Sequence, residues 1–387
     1  MNIKKILFNK NIDKDAEYTK YKALFGLIYL KYNNISKTFD FRICGLSILR
    51  SKLKGYCKKY YFLFVQILIL KATHEFLRDF LDEVIDKYPQ YDDYYVFLSR
   101  SGEFFLLMHH LREWLQKNNS SNYILIFSAK YHLNICKMFY PEIRCAYIKN
   151  INVPLISRGI KNIKTCYKDK NIYVPTYERY FVDVENKIRD NDSHYYELLK
   201  SHLKLSNKTD HYSIIDSTKE KVAKIVNHFL DNNFIFISPE TLSNEPMEKD
   251  FWEDLCNIIR AKGYKIYCNA MNFQNLVPGC ESMFLTYEES IELAKYAKGI
   301  IGMRSGFIEC LSQNNTPMFV LYTDFPKRQG FKRLASGKVL NGYSIKKLPY
   351  VNKDNLYEYD VNKYKKQELI ITEIINKLEE LNSGKSR

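Results

Sequence analysis

A short polar turn, Arg-Ser-Gly, occurs twice in this chain, and each time it joins an apolar run to an amphipathic one. The first copy, Arg100 to Gly102, follows YYVFLS and opens the segment GEFFLLMHHLREWLQKN. The second copy, Arg304 to Gly306, follows IIGM and precedes FIECLSQ. An apolar run of strand length followed by apolar residues every three or four positions predicts a strand, a turn and a helix. Two such units indicate an α/β fold with two similar halves.

The same alternation of strands and helices extends on both sides of each turn. It predicts parallel sheets wound with helices. Between the halves, from residue 150 to about residue 216, the pattern gives way to polar, Tyr-rich sequence. We therefore expect five parts. These are a basic module at 1–72, a first Rossmann-like domain at 73–185, a linker at 186–216, a second Rossmann-like domain at 217–350, and a final helix within 351–387 that packs back across the first domain.

Composition excludes several classes of protein. A chain of 387 residues with 46% hydrophobic content is long and apolar enough for two folded domains. The nine cysteines are scattered without a C-x-x-C pair, which is typical of core residues in a reducing cytosol and predicts no metal site. The amino-terminal segment MNIKKILFNK is not followed by the apolar stretch and cleavage site of a signal peptide. The longest apolar run, Tyr60 to Leu70, is about half of the ~20 residues that a membrane helix needs. We expect a cytoplasmic protein.

The positive charge is concentrated at one end of the chain. Residues 1–71 hold 15 Lys/Arg and 4 Asp/Glu, which is +11 of the formal net charge of +15. The same region carries a weak repeat of about twenty residues, seen in LFGLIYLKY, ICGLSILRSK and LFVQILILKA. One interpretation is a set of hairpins whose cations keep strand edges from pairing with other chains. The other is a peripheral attachment to an anionic membrane surface. No motif for nucleic-acid binding accompanies the charge, so no nucleic-acid partner is expected.

Three stretches together resemble a known family. They are the turn Ser101-Gly102-Glu103, the loop SPETLSNEPMEKDFW and the segment GMRSGFIECL. In their placement they resemble motifs of the bacterial ADP-heptose lipopolysaccharide heptosyltransferases, glycosyltransferase family 9, over residues 90–325. Glu103 and Arg304 stand where that family has Asp, and Glu309 stands where it commonly has His. The basic module is similar to repeats that precede glycosyltransferase domains of capsule and lipooligosaccharide clusters, and Arg-Ser-Gly also resembles GDP-fucose enzymes.

The resemblance implies a fold, a reaction and a set of partners. The fold is GT-B, in which two Rossmann-like domains face each other, the first for the acceptor and the second for the nucleotide sugar. The reaction is transfer of a sugar from a nucleotide-activated donor to a bacterial surface glycan, lipooligosaccharide or capsule. We expect it to be inverting and independent of metal, with no cofactor besides the donor. The sugar, the nucleobase and the acceptor stay open.

The resemblance also implies donor-binding residues in the second half. The turn Arg304, Ser305 and Gly306 is expected to hold the leaving diphosphate, because a helix amino terminus and an arginine both favour anions. The loop residues Thr241, Ser243 and Lys249 would add hydroxyl and ammonium donors, and Glu309 would accept from ribose hydroxyls. Simpler interpretations are a surface ion pair for Arg304, a solvated helix start for Lys249 and an ordinary first-turn acid for Glu309.

Glu103 is the candidate catalytic residue. A carboxylate at the mouth of the first sheet can act as general base for an acceptor hydroxyl, and the simpler interpretation is a helix cap. The turn Arg100, Ser101 and Gly102 is expected to bind the acceptor. His109 and His110 follow on the same helix, where a packed or surface position is expected for them.

Two other classes of protein remain open. The sequence RDNDSH holds Asp190 and Asp192, whose Asp-x-Asp spacing is typical of a metal-dependent transferase, although no apolar strand precedes it. A protein that binds a nucleotide sugar or a polysaccharide without turnover would show the same two halves.

Overall fold

The structure is a computed structural model that describes residues 8–12, 18–23, 28–33, 38–43, 46–54, 57–62, 65–71, 73–149, 153–230, 233–268, 277, 279–282, 285–327 and 332–383. The chain forms two compact units. The first contains Met1–Leu98, Asn122–Ala129 and Arg144–Arg179, and the second contains Ser99–Ser121, Lys130–Ile143 and Tyr180–Arg387. Among the described residues, no helix is long and apolar enough to cross a membrane.

The amino-terminal part of the first unit is a seven-stranded sheet in which each strand pairs antiparallel with the next. Its repeat of about twenty residues corresponds to every second strand, because the three repeated motifs overlap β3, β5 and β7. The strands are β1 (Phe8–Ile12), β2 (Tyr18–Ala23), β3 (Ile28–Asn33), β4 (Thr38–Ile43), β5 (Leu46–Lys54), β6 (Cys57–Phe62) and β7 (Val65–Lys71).

A five-stranded sheet forms the rest of the first unit. Its strands are β8 (Asp93–Phe97), β9 (Tyr123–Phe127), β10 (Cys145–Tyr147), β11 (Lys164–Tyr167) and β12 (Lys170–Tyr173), in the order β10-β9-β8-β12-β11. All pairs are parallel except the hairpin β11–β12. The helices α1 (Thr73–Lys87) and α5 (Val153–Gly159) belong to this unit.

The sequence pattern predicted β8, β9 and β10 but missed the hairpin β11–β12. Its turn is formed by Lys168 and Asp169, which have positive φ angles of 48° and 60°. Hairpin turns of this kind are usually marked by Asn-Gly or Asp-Gly. Lysine and aspartate at these positions gave no such signal.

The second unit contains a six-stranded, fully parallel sheet. Its strands are β13 (Phe234–Ser238), β14 (Lys265–Cys268), β15 (Glu281–Ser282), β16 (Gly299–Met303), β17 (Met318–Tyr322) and β18 (Leu356–Asp360). Their order, β15-β14-β13-β16-β17-β18, is that of the doubly wound dinucleotide-binding folds. The predicted α/β class with parallel sheets is therefore confirmed, and the order reverses between β13 and β16.

Eleven helices belong to the described part of the second unit. They are α2 (Ser101–Met108), α3 (Leu111–Lys117), α4 (Lys130–Phe139), α6 (Glu178–Asn191), α7 (Tyr195–Leu203), α8 (Asp216–Ile225, continued by a π-helical turn at Val226–Leu230), α9 (Lys249–Ala261), α10 (Tyr287–Ala294), α11 (Gly306–Leu311), α12 (Ser336–Tyr343) and α13 (Gln367–Asn382). The single helix predicted after the first turn is divided at His109 and His110 into α2 and α3. Part of α6 and all of α7 lie in the segment expected to be a linker.

The final helix packs on the second sheet, which corrects the expectation that it returns to the first domain. Ile370, Ile374 and Leu378 of α13 lie in one buried cluster with Ile235 of β13 and Phe319 of β17. The apolar residues of α13 recur every three or four positions, so one face of the helix is apolar and needs a sheet to cover. The six-stranded sheet, whose last strand β18 directly precedes α13 in the sequence, provides that surface.

Candidate functional site

The point where strand order reverses lies between β13 and β16, which pair from Ile235 with Gly299 to Ser238 with Gly302. In doubly wound sheets, ligands bind outside the carboxyl ends of the strands at this point. Two predicted site segments follow these strands directly. They are the loop at 239–248 after β13 and the turn Arg304-Ser305 after β16. Topology therefore places both predicted donor-binding segments at the usual ligand position.

The two Arg-Ser-Gly turns are in contact with each other. A Cβ atom on Gly306 would lie 2.7 Å from the Ser101 Oγ atom and 2.8 Å from the Gly102 Cα atom. A Cβ atom on Gly102 would lie 2.7 Å from the Gly306 Cα atom. Because no side chain fits between them, only glycine permits this approach of α2 and α11. The first turn, expected to bind the acceptor, therefore covers the amino terminus of α11, where the diphosphate was expected to bind.

The Arg304 side chain is hydrogen-bonded to other groups of the protein. Its Nη2 atom donates to Glu309 Oε2 at 2.7 Å, and its Nε atom donates to the Tyr343 carbonyl oxygen at 3.0 Å. The side chains of Arg304 and Glu309 are 11% and 2% exposed. Glu309 also accepts a hydrogen bond from the Tyr350 hydroxyl at 3.3 Å. This buried pair corrects the surface interpretation of Arg304, and it leaves neither residue facing solvent to bind diphosphate or ribose as predicted.

Burial raises the pKa of Glu309 above the ordinary value, and the charge of Arg304 opposes that effect. The neighbouring charge of Glu103 acts in the same direction as burial. Two carboxylates and one guanidinium therefore share this part of the second unit. Ser305 caps α11, since its side chain accepts from the Ile308 amide at 3.3 Å.

Glu103 lies in the first turn of α2 and is half-buried. Within the described part of the chain, its carboxylate forms no hydrogen bond or ion pair, so the cap interpretation has no support. Its charge contributes to the raised pKa values of several tyrosines. Burial first, and then the charge of Glu103, raise the pKa of Tyr131 to about 12. The same two causes raise the pKa of Tyr180 and of Tyr195.

The loop after β13 is joined to both turns. The Thr241 hydroxyl donates to the Arg304 carbonyl oxygen at 3.3 Å and accepts from the amides of Ser243 and Asn244 at 3.4 and 3.3 Å. Arg100, an exposed residue of the first turn, donates from Nη1 to the Ser243 hydroxyl. Arg100 was predicted to serve the acceptor, yet in the structure it lies on the loop predicted to serve the donor.

Lys249 is the first residue of α9 and lies outside this network. Its ammonium group pairs with Glu253 one turn later, at 2.8 Å, and its side chain is 70% exposed. This geometry is the solvated helix start that the simpler interpretation described. A 2.8 Å pair at such exposure is easily exchanged for another anion, since exposed ion pairs contribute little free energy.

Asn244 is a residue of the same loop that the sequence analysis did not select. It is 6% exposed, and within the described residues neither its Nδ2 nor its Oδ1 atom has a hydrogen-bond partner. Buried side-chain amides are normally paired, because an unpaired one costs about 1–3 kcal/mol. Only the tertiary structure identifies such a residue, since asparagine is common in loops.

His109 and His110 are packed, as expected. The His109 ring stacks on Tyr350 with ring centroids 3.9 Å apart, and its Nδ1 atom lies 2.7 Å from the Asp210 carbonyl oxygen. Burial lowers the pKa of His109 to about 3. His110 is 1% exposed and lies 3.2 Å from the Tyr196 hydroxyl.

Asp190 lies in the last turn of α6, Asp192 follows the helix, and both are paired with cations. Asp190 pairs with Arg189 at 2.9 Å, and Asp192 pairs with Lys338 at 2.6 Å. Among the described residues, no group of three or more His, Cys, Asp or Glu is arranged to hold a metal ion. The alternative of a metal-binding Asp-x-Asp gains no support from this arrangement.

No protein-family model matches the sequence, and the curated proteins contain no match either. Among solved structures, the chain is similar to a glycosyl transferase family 9 protein from Veillonella parvula, with 13% identity, a TM-score of 0.46, and coverage of 76% of this chain and 97% of that one. It is also similar to the E. coli ADP-heptose lps heptosyltransferase II, with 10% identity, a TM-score of 0.46 and coverage of 76% and 100%. The E. coli heptosyltransferase WaaC with ADP shows 9% identity, a TM-score of 0.43 and coverage of 74% and 99%. These proteins come from the group that the sequence motifs resemble.

Proposed function

We propose that this chain is a glycosyltransferase that moves a sugar from a nucleotide-activated donor to an acceptor hydroxyl. The observation that carries the proposal is the position of Glu103. It is a carboxylate without a partner in the described structure, in the turn that contacts Gly306 at the switch point of a doubly wound sheet. Sugar transfer requires a base for the acceptor and donors for the leaving diphosphate. The loop after β13 beside this turn is proposed to supply the second need.

The proposed reaction is a single displacement at the anomeric carbon. The acceptor oxygen forms the new glycosidic bond while the bond to the diphosphate breaks, and the acceptor proton passes to Glu103. Inversion at the anomeric carbon follows from one displacement. The negative charge of the departing diphosphate is proposed to be received by donors of the loop after β13, and the step is proposed to need no metal and no cofactor.

A donor panel tests the proposal. Thermal shift of the protein is measured with ADP-, GDP-, UDP- and CMP-sugars, and donors that stabilise it are then assayed for release of the nucleoside diphosphate with a lipooligosaccharide or capsule acceptor. Transfer that persists in EDTA supports the proposal. Activity that is lost in EDTA and restored by Mn²⁺ would instead support the alternative centred on Asp190 and Asp192. Tight donor binding without release or transfer on any acceptor would support a non-catalytic binding protein.

A surface-glycan acceptor and a cytoplasmic position at the membrane are part of the proposal. The sequence motifs resemble those of lipopolysaccharide heptosyltransferases. The seven-stranded sheet supports membrane attachment through its register. Residues that pair directly lie on one face, as do residues two apart along a strand. Nine Lys/Arg positions in the described strands share one face: Lys20, Lys22, Lys31, Arg42, Arg50, Lys52, Lys54, Lys59 and Lys71.

The opposite face of this sheet has apolar residues at its positions, among them Leu30, Phe39, Phe41 and Leu49. Lys10 and Lys58 are the two cations at positions of that face in the described strands. Antiparallel sheets often bury one face and expose the other. The basic face is therefore the one proposed to meet anionic headgroups, where each Lys or Arg contributes about 1 kcal/mol.

Sedimentation with vesicles tests this attachment. Lys20→Glu combined with Lys52→Glu is expected to weaken binding to vesicles with 30% phosphatidylserine more than tenfold, an order of magnitude that follows from about 1 kcal/mol per charge. Lys10→Glu with Lys58→Glu is the matched control, with the same change of net charge on the other face. Equal loss in both pairs, or no binding by the parent, would contradict the proposal for this face.

A further inference from the structure

The loop after β13 contains a side chain that the protein itself leaves unsatisfied. Asn244 is 6% exposed, and both polar atoms of its amide lack a partner within the described residues. Two backbone hydrogen bonds hold the loop on either side of this side chain. The backbone N–H of Glu245 donates to the Asp324 carbonyl oxygen at 2.8 Å, and the backbone N–H of Asn244 donates to Thr241 Oγ1 at 3.3 Å. An unpaired amide of this kind can be satisfied by a group that arrives from outside once the side chain turns toward it.

Arg100 is a cation that is hydrogen-bonded to the same loop. It is exposed, and its guanidinium reaches the hydroxyl of Ser243, which adjoins Asn244 in the chain. Arg304, the arginine expected to hold phosphate, is buried against Glu309 instead. Arg100 retains further N–H groups, because a guanidinium carries five and a serine hydroxyl uses one.

We propose that Arg100 and Asn244 form the donor site of this chain. Arg100 binds the diphosphate, and the Asn244 amide binds hydroxyl groups of the sugar to be transferred. An amide both donates and accepts, as a sugar hydroxyl does, whereas a guanidinium only donates and suits phosphate oxygens. The inference rests on the proposed glycosyltransferase function and assigns two of its contacts.

Calorimetry on two variants separates these contacts. The probes are UDP, ADP or GDP, whichever binds the parent, and the corresponding nucleotide sugar. Arg100→Gln is expected to raise the Kd of both probes about ten- to a hundredfold, because a charge-assisted contact to phosphate is lost from each. Asn244→Ala is expected to raise the Kd of the nucleotide sugar about tenfold and to leave that of the nucleoside diphosphate unchanged. Arg112→Gln and Asn257→Ala, two exposed residues on α3 and α9, are the controls.

The thermal stability of Asn244→Ala distinguishes a ligand contact from a structural role. Since the amide has no partner in the protein, its removal should leave the Tm of the ligand-free protein unchanged or raise it, while the ligand-induced shift falls. A lower Tm without ligand would show that the amide stabilises the fold and would overturn its assignment. Parent-like affinity of both variants would overturn the inference but leave the proposed function standing. A parent that binds no nucleotide sugar would overturn both.

Discussion

Gly102 and Gly306 meet at the amino termini of α2 and α11, where a Cβ atom on Gly102 would lie 2.7 Å from the Gly306 Cα atom. This contact explains why Arg-Ser-Gly occurs twice. Each turn needs a residue without a side chain at the same position, because the two turns pack against each other. A helix amino terminus that is covered in this way is not open to a phosphate group.

Substitution of either glycine is therefore expected to destabilise the second unit. Gly306→Ala places a methyl group against backbone atoms that cannot rotate away, so the cost should be about 1–3 kcal/mol or more. Denaturant unfolding followed by circular dichroism measures it. Gly337→Ala is the control, because the nearest atom to its Cβ is the end of the Asp360 side chain at 3.0 Å. Equal stability of the two variants would mean that the helices separate easily.

The carboxylate of Glu103 should control turnover. Glu103→Gln keeps the size of the side chain but removes the base, so kcat is expected to fall on the order of a hundredfold while the donor Kd stays nearly unchanged. Initial rates and calorimetry measure the two quantities. Glu142→Gln, at an exposed position, serves as control. Near-normal turnover of Glu103→Gln would remove Glu103 from the mechanism.

The pair Arg304–Glu309 should behave as a unit. Arg304→Met leaves a buried carboxylate without its cation, and the expected loss is about 3–5 kcal/mol of unfolding free energy. Arg304→Met combined with Glu309→Leu should lose much less than the sum of the single losses, since no charge is then left unpaired. A double-mutant cycle from urea unfolding measures the coupling. Additive losses would show that the two side chains do not depend on each other.

Stability should fall in mild acid because His194 must stay neutral. Its Nδ1 atom accepts from the Tyr196 amide at 3.3 Å, its Nε2 atom lies 3.0 Å from the Ser344 carbonyl oxygen, and burial lowers its pKa to about 4. The unfolded chain takes up a proton near pH 6.5, so this contribution to stability is complete above that pH and is lost as the pH falls toward 4.

His194→Asn keeps a side chain that can cap α7 but does not titrate. Between pH 7 and pH 5 its Tm should therefore fall less than that of the parent, by an amount equivalent to about 2 kcal/mol at pH 5. Thermal unfolding at half-unit pH steps measures the difference. His211→Asn changes an exposed histidine and is expected to follow the parent. Parallel curves for His194→Asn and the parent would contradict the prediction.

The sequence by itself determined the elements around both turns. Buried strands such as β8, β13 and β16 are continuous apolar runs, and α9 and α10 repeat apolar residues with helical spacing, so local pattern was sufficient for them. The hairpin β11–β12 and the division at His109 escaped because their turns lack glycine or proline. The α/β class and the two strand-turn-helix units also followed from pattern alone.

Tertiary structure decided which of the predicted site residues are free to act. Sequence gives Arg100 and Arg304 the same surroundings, Arg-Ser-Gly before a helix, yet one guanidinium is exposed beside Ser243 and the other is buried against Glu309. The difference arises from packing between α2 and α11, which are about two hundred residues apart in the chain. For the same reason the unpaired amide of Asn244 has no signal in the sequence, because burial and hydrogen-bond partners are properties of the folded chain.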